Sequence, residues 1–492
     1  MTQEQLVTLA VVLPALATLP ISLAGRWPNL REAISLTTAV VTAMVVLSLV
    51  PDVLAGARPQ TATFSIFVDL KLGFAIEPLG MLFACVASIL WIVNTIYSIG
   101  YMRGNNEPRQ TSFYVCFAVA ISSAIGIAFS ANLLTLFLFY EILTLSTYPL
   151  VTHKGDDAAK SGGRVYLLLL LGTSMVLLLP AIIATLVLAG TLDFTPGGIL
   201  AGTASGLTLA LLFGAYMFGI GKAALMPLHF WLPAAMVAPT PVSALLHAVA
   251  VVKAGVFTVV KVVVYIFGID FLAQSGAADW LLYAAGFTVL VASLVALRQD
   301  NLKRRLAYST VSQLSYVILA TAILTPISIV GAVLHIAAHA VSKITLFFAA
   351  GSIYTATHLT EVSQLRGIGR RMPWTMTAFA IGALSMIGVP PTAGFLGKWF
   401  MLTGAMDSAN WIALGVIVIS TLLNAAYFLP IVFNAFFLSP DKSNPGDHHH
   451  GEAPWPIVLA LTATAIGTFA MFFFPEIPME LAKGVISSEG VD

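Results

Sequence analysis

Apolar runs of about 20 residues follow one another from one end of this chain to the other, and no other feature restricts its folding as much. A run of that length crosses about 30 Å of hydrocarbon as a helix. Inside such a layer the backbone must satisfy its own polar groups, so only helices and closed barrels span it. Runs this long select helices. Only 9% of the 492 residues are charged, against about 25% in a soluble domain. The sequence therefore predicts an all-α polytopic membrane protein.

Breakers between the runs place fourteen helices near 6–24, 33–51, 77–100, 112–130, 132–151, 165–189, 206–227, 241–268, 280–297, 306–325, 328–356, 374–405, 410–438 and 455–474. They are called spans one to fourteen below. The longest polar connections are 52–76 and 439–454, so no soluble domain fits between spans. MTQEQLVTLA carries no basic residue before its apolar run and reads as a first span rather than a cleaved leader. Cys85 and Cys116 both fall within apolar runs, where no disulfide is expected. A net charge of +1 predicts no nucleic-acid partner.

The connections alternate in charge. Odd-numbered ones hold 15 of the 23 basic residues, from Arg26 and Arg31 to Lys442. Even-numbered ones and the two ends hold three, Arg58, Lys71 and Lys483. Basic loops stay in the cytoplasm, which predicts a prokaryotic cell membrane protein with both termini outside and an even number of spans.

Five lysines remain, and all lie within spans: Lys222, Lys253, Lys261, Lys343 and Lys398. Glu141, in LFLFYEILTLSTYPLV, is the deep carboxylate; Glu77 opens span three and reads as interfacial. His229, His247, His335 and His339 join them. A charge at the bilayer centre costs at least about 2.5–3.5 kcal/mol, so these groups must face one another or water. Lys261 nears a helix end, where its stem can snorkel to the surface. In VLHIAAHAVSKITL, His335, His339 and Lys343 recur at i, i+4 and i+8, which aligns them on one helical stripe.

Two spans carry their lysine beside a breaker. Pro227 follows Lys222 in FGIGKAALMPLHFWLP, and Pro390, Pro391 and Gly394 precede Lys398 in SMIGVPPTAGFLGKWFML. Unwound backbone survives in a membrane only where protein or a water-filled cavity surrounds it. Paired broken helices in two halves point to inverted repeats. The expected organisation is a three-helix segment, 1–111, then repeats at 112–268 (spans four to eight) and 269–438 (spans nine to thirteen). A loop and last helix follow at 439–492. Glu141, Lys222, His247, Lys253, His335, His339, Lys343 and Lys398 then form a candidate proton relay across both repeats. An amine in a dry site releases its proton more readily than one in water, and neutral imidazole both accepts and donates. Glu141 opposite Lys222 would act as a switch between paired and separated states.

Other motifs carry less. His448, His449 and His450 read as a solvated loop tract, since three adjacent histidines cannot all face one ion. HIAAH lacks the glutamate of a zinc HExxH helix. No nucleotide loop, CxxC cluster or haem attachment site is present, so neither cofactor nor metal is expected.

KAALMPLHFWLPAAMVAPTPVSALLHAVAVVKAGVF, DNLKRRLAYSTVSQLSY, LHIAAHAVSKITLFFAAG and GVPPTAGFLGKW resemble the antiporter-like subunit family of respiratory complex I, membrane-bound hydrogenases and Mrp-type cation/proton antiporters. The resemblance implies proton translocation within a multi-subunit membrane complex that moves protons and Na⁺ or K⁺. Glu141 and Lys222 match the family's helix-five glutamate and helix-seven lysine. Lys253 and His247 match two alternative helix-eight groups, His335, His339 and Lys343 the helix-eleven relay, and Lys398 the helix-twelve lysine. The short tail after span fourteen resembles the D-type subunit of an Mrp antiporter or the shorter complex I or hydrogenase subunits; Lys398 and GVPPTAGFLGKW lean towards the D-type, while YEILTLSTYPLVTHKG departs from the Mrp pattern. The alternative is a pumping subunit of complex I (NADH-quinone oxidoreductase) or a membrane hydrogenase. A bicarbonate-uptake subunit shares the fold.

Overall fold

The computed structural model describes residues 1–67, 70–439 and 451–487. Among them, eleven helices are long and apolar enough to cross a membrane. The other three expected spans are also helical, and each falls short for a visible reason. Span seven is unwound after Gly206–Gly219, span twelve is split into Pro373–Ile387 and Ala393–Asp407, and span ten, Leu302–Ala322, carries a row of serine, threonine and glutamine. The fold is that of an all-α polytopic membrane protein. It adds a small hairpin, Phe64–Phe67 with Leu70–Leu72, a short helix Ile269–Ser275 and a terminal helix Glu476–Ser487.

Local chemistry sets the ends of the spans. Asn132 caps span five by accepting from Thr135 N, and Thr325 caps span eleven by accepting from Ser328 N, with Pro326 at the first helical position. Proline there loses no helical hydrogen bond and arrives with its φ preset. Span six ends at Gly190, whose φ of +70° suits glycine.

Spans eight, Thr240–Phe267, and eleven, Pro326–Thr357, form the hub. The most apolar stretch of span eight is wholly buried, and that of span eleven nearly so. Span eleven packs on spans three, ten, both halves of twelve, and fourteen. The rim presents apolar side chains outward, such as Leu168, Val176 and Val187 of span six and Ile419 and Leu422 of span thirteen. In a bilayer such a face meets lipid.

Hydrogen bonds identify the two ends of the bundle. At one, Arg31 reaches Gln110 and Thr111, Lys303 reaches Ala238 O, Asn301 reaches Glu361, and Trp374 N reaches Glu452. These groups lie in or beside odd-numbered connections. At the other end Gln3 donates to Asp52, Ala75 N donates to Phe129 O, and Asn132 bridges to Asp193. Gly484 of the terminal helix packs on Pro78 at that same end. The described ends of the chain therefore share one face, opposite the basic one. The tract His448–His450 lies outside the described residues.

Candidate functional site

The first half of the site is built around the break in span seven. Helix stops at Gly219, where a Cβ would lie 2.5 Å from Leu178 N of span six. Lys222 then sits inside the unwound stretch, in the single turn Gly221–Ala223, rather than on a helix flank. Its Nζ donates to Tyr140 O at 2.9 Å and to Thr144 Oγ1 at 2.6 Å, both on span five, Leu133–Val151. Trp231 Nε1 donates to Gly221 O at 3.0 Å and pins the turn. Of the two states of the expected switch, the structure holds the separated one: among the described residues neither oxygen of the buried Glu141 carboxylate has a hydrogen-bond partner. The reason is the register of span five, whose preceding carbonyl and next-turn threonine occupy the amine instead.

Span eight lies against this turn. A Cβ on Gly255 would stand 2.4 Å from the Lys222 carbonyl carbon, so the two backbones touch. Two residues earlier, Lys253 Nζ meets His339 Nδ1 at 2.5 Å, joining span eight to span eleven. His247 lies in a π turn, Leu245–Val249, and faces elsewhere: its Nδ1 is 3.1 Å from Thr310 Oγ1 and its ring centre 4.7 Å from that of Phe347.

On span eleven the His335 and His339 rings are stacked with centres 6.1 Å apart. His335 Nε2 meets Gln313 Oε1 at 2.9 Å, and Lys343 Nζ donates to Ser309 Oγ at 2.5 Å. The stripe thus gains a second wall from span ten. Ser309, Thr310 and Gln313 are fully buried there and were not singled out from sequence. Their signal is the polar series Ser309, Thr310, Ser312, Gln313 and Ser315 in a segment that must cross hydrocarbon.

The second half ends at Lys398. Span twelve breaks over Gly388–Thr392, and Lys398 stands on the intact helix beyond it. Its Nζ donates to Met386 O at 3.0 Å and Ile387 O at 2.9 Å, the carbonyls freed where the first half-helix ends. Tyr316 sits between the halves, 4.9 Å from Lys398 Nζ and 5.8 Å from the His335 ring centre. A Cβ on Gly397 would lie 2.9 Å from His335 Cβ, so this half-helix touches span eleven directly. The two breaks differ: one holds its lysine in the unwound turn, the other on the helix after it.

All eight expected residues are buried, and seven have a hydrogen-bond partner, Glu141 being the exception. One expectation fails. Lys261 does not snorkel: it is fully buried, ion-paired with Glu77, and donates to Ser130 O. Glu77, at the start of span three, keeps 12% of its side-chain exposure, as an interfacial group does. A carboxylate on the neighbouring span outcompetes the surface when the stem cannot reach it. His229 is buried beside the break, its ring centre 4.1 Å from that of Phe230 at a tilt of 37°, with Nδ1 unpartnered among the described residues.

At the basic end a cavity of about 170 Å³ is lined by Tyr101, Lys154, Thr240, Asn301, Lys303 and Tyr354 among others. Glu107 lies near it; burial pushes its carboxyl up, opposed by the ammonium groups of Lys154 and Lys303. His153 is pushed down by burial and by the Arg109 guanidinium. Among the described residues no three His, Cys, Asp or Glu side chains converge as metal ligands would.

The family described as NADH:quinone oxidoreductase/Mrp antiporter, TM matches residues 130–424, which contain every residue of this site. NADH-quinone oxidoreductase subunit N of Desulforudis audaxviator is 32% identical over 77% of this chain and 75% of the relative. Hydrogenase-4 component B of Escherichia coli is 32% identical over 68% of this chain and 51% of its own length. A putative antiporter subunit mnhA2 of Staphylococcus aureus is 28% identical over 92% of this chain and 59% of its own. The chain thus spans about half to three quarters of these relatives. In three dimensions it is similar to a chain of the Mrp complex of a Dietzia species, at TM-score 0.87 and 20% identity, covering 99% and 97% of the two chains. It is as similar to a chain of an archaeal membrane-bound sulfane sulfur reductase, at TM-score 0.86 and 22% identity.

Proposed function

Because the chain belongs to the NADH:quinone oxidoreductase/Mrp antiporter transmembrane family, we propose that it is the proton-translocating subunit of an Mrp-type antiporter of Na⁺ or K⁺ against protons. Other membrane subunits of the same complex would pack on its rim in a prokaryotic cell membrane. The observation that carries this reading is the Lys253–His339 contact, which makes one file of two half-sites. Arranged in sequence, Glu141 and Lys222 load a proton, Lys253 passes it to His339, His335 and Lys343 distribute it, and Lys398 hands it on. Lys253 is assigned the transfer on span eight, since His247 faces Thr310. An ammonium at Lys253 donates to His339 Nδ1, which places the neutral ring's own proton on Nε2.

The relay needs buried amines that change partners, and Lys222 meets that requirement: it is held by a carbonyl and a hydroxyl, with the Glu141 carboxylate unpartnered on the same span. Pairing with Glu141 would stabilise the ammonium, and separation would release its proton. Two inverted repeats, spans four to eight and nine to thirteen, account for the paired breaks. A single deep carboxylate is a poor set of ligands for a hard cation, which prefers several oxygens, so the cation path is assigned to partner subunits.

The second reading is a pumping subunit of a redox enzyme, favoured by the 32% identity to NADH-quinone oxidoreductase subunit N. One experiment separates the two. Inverted vesicles carrying the chain with its neighbouring gene products are given Na⁺ or K⁺, and dissipation of ΔpH is followed with Lys222 intact and with Lys222→Ala. A cation response lost in the mutant supports the antiporter. Proton pumping on adding NADH or a quinol, with no cation response, moves the chain to the redox branch.

A further inference from the structure

Span eight carries a second buried lysine for which the relay has no use. Lys261 meets Glu77 at the start of span three and Ser130 O in the turn between spans four and five. Its Nζ also lies 4.2 Å from the centre of the Phe194 ring, in the connection after span six. The group stands at the end of the bundle opposite the basic loops. Lys253 and Lys261 are eight residues apart on one regular stretch of helix, Val251–Val262. That is the spacing of His335 and Lys343 on span eleven, about 12 Å along one stripe. Phe257 stands midway, its ring centre 5.3 Å from Lys261 Nζ and 5.1 Å from that of Phe83. Glu77 keeps some exposure, so the stripe meets the outer surface there.

We propose that Lys261 and Glu77 form an outer proton gate on span eight, with the Phe257–Phe83 contact as its apolar barrier. This rests on the relay reading above. When Phe257 rotates aside, the Lys261 ammonium passes one proton to the neutral Lys253 amine, which hands it to His339 as the relay requires. The Glu77 carboxylate takes one proton from outer water and gives it to the neutral Lys261 amine. Lys261 is charged again and Glu77 ionised, so the pair is restored. One proton has crossed the barrier, and only N–H and O–H bonds have changed.

A static clamp needs only a positive charge at position 261, whereas a gate needs one that can be given up. Lys261→Arg separates the two, because a guanidinium keeps the ion pair but does not deprotonate in proteins. In vesicles holding the complete complex, energised by the cation or electron donor it responds to, the arginine variant is expected to lose at least about tenfold in proton transport. Subunit co-purification should be normal. Transport at the unsubstituted rate would overturn the gate. If arginine disturbs assembly, Phe257→Ala decides: a passive proton leak raised severalfold supports the barrier, and an unchanged leak overturns it. Lys222→Ala is measured alongside. Its loss of transport beside a fully active Lys261→Arg sinks the gate alone; full activity of Lys222→Ala sinks the relay reading itself.

Discussion

Ser309 holds the Lys343 ammonium at 2.5 Å, and Gln313 holds His335 at 2.9 Å. A hydrogen bond to a charged group contributes roughly 1.5–3 kcal/mol, so removing one should be felt in any step that charges its partner. Ser309→Ala is expected to slow proton transport about tenfold while the complex still assembles, measured as ΔpH dissipation in inverted vesicles; unchanged transport would remove span ten from the relay. Glu141→Ala should abolish coupled transport with insertion intact, and a transporting, inserted variant would exclude the loading role. Each position of the proposed relay was legible as a charge or imidazole in hydrocarbon, since insertion cost singles such groups out one residue at a time. Partners were less legible: the polar series of span ten marks Ser309 and Gln313 only as a group, since neutral side chains cost less to bury than charges do, and which group each one holds shows only across a helix interface. Lys261 misled for a related reason: position near a helix end suggests a route to water, and only packing shows that Glu77 is nearer.

The breaks in spans seven and twelve were written in their prolines and glycines, and each lysine was placed near its break by spacing alone. What spacing missed is where helix stops. Span seven unwinds at Ile220, well ahead of Pro227, because Gly219 and Gly221 press on span six. In span twelve, a Cβ on Gly394 would lie 1.8 Å from Ser385 O, a backbone atom that cannot yield. Overpacking of this kind costs about 1–3 kcal/mol or more. Gly394→Ala is therefore expected to lower the thermal aggregation midpoint of the detergent-solubilised complex by several degrees, and an unchanged midpoint would show that the two half-helices can part freely. The hairpin at Phe64–Leu72 had no sequence signal that stood out from an ordinary polar connection.

At the scale of the molecule, charge alternation marked the two ends before any contact was known, because basic loops are sorted by the membrane itself. Hydrogen bonds now tie the odd-numbered connections to one another, and the orientation proposed from them puts that end in the cytoplasm. With Cys85 and Cys116 replaced by alanine, Ala201→Cys should react with an impermeant maleimide in intact cells. Asp157→Cys should react only after permeabilisation; the reverse pattern would invert the topology. The glycine contacts described above bear on timing. Gly255 fixes the Lys222 backbone to span eight two residues from Lys253, and Gly397 fixes the helix of Lys398 to His335. Spacings set backbone to backbone cannot breathe with helix sliding. The inner steps are then timed by rotation of buried side chains between fixed backbones, and the remaining events belong to water access and to the neighbours around this chain.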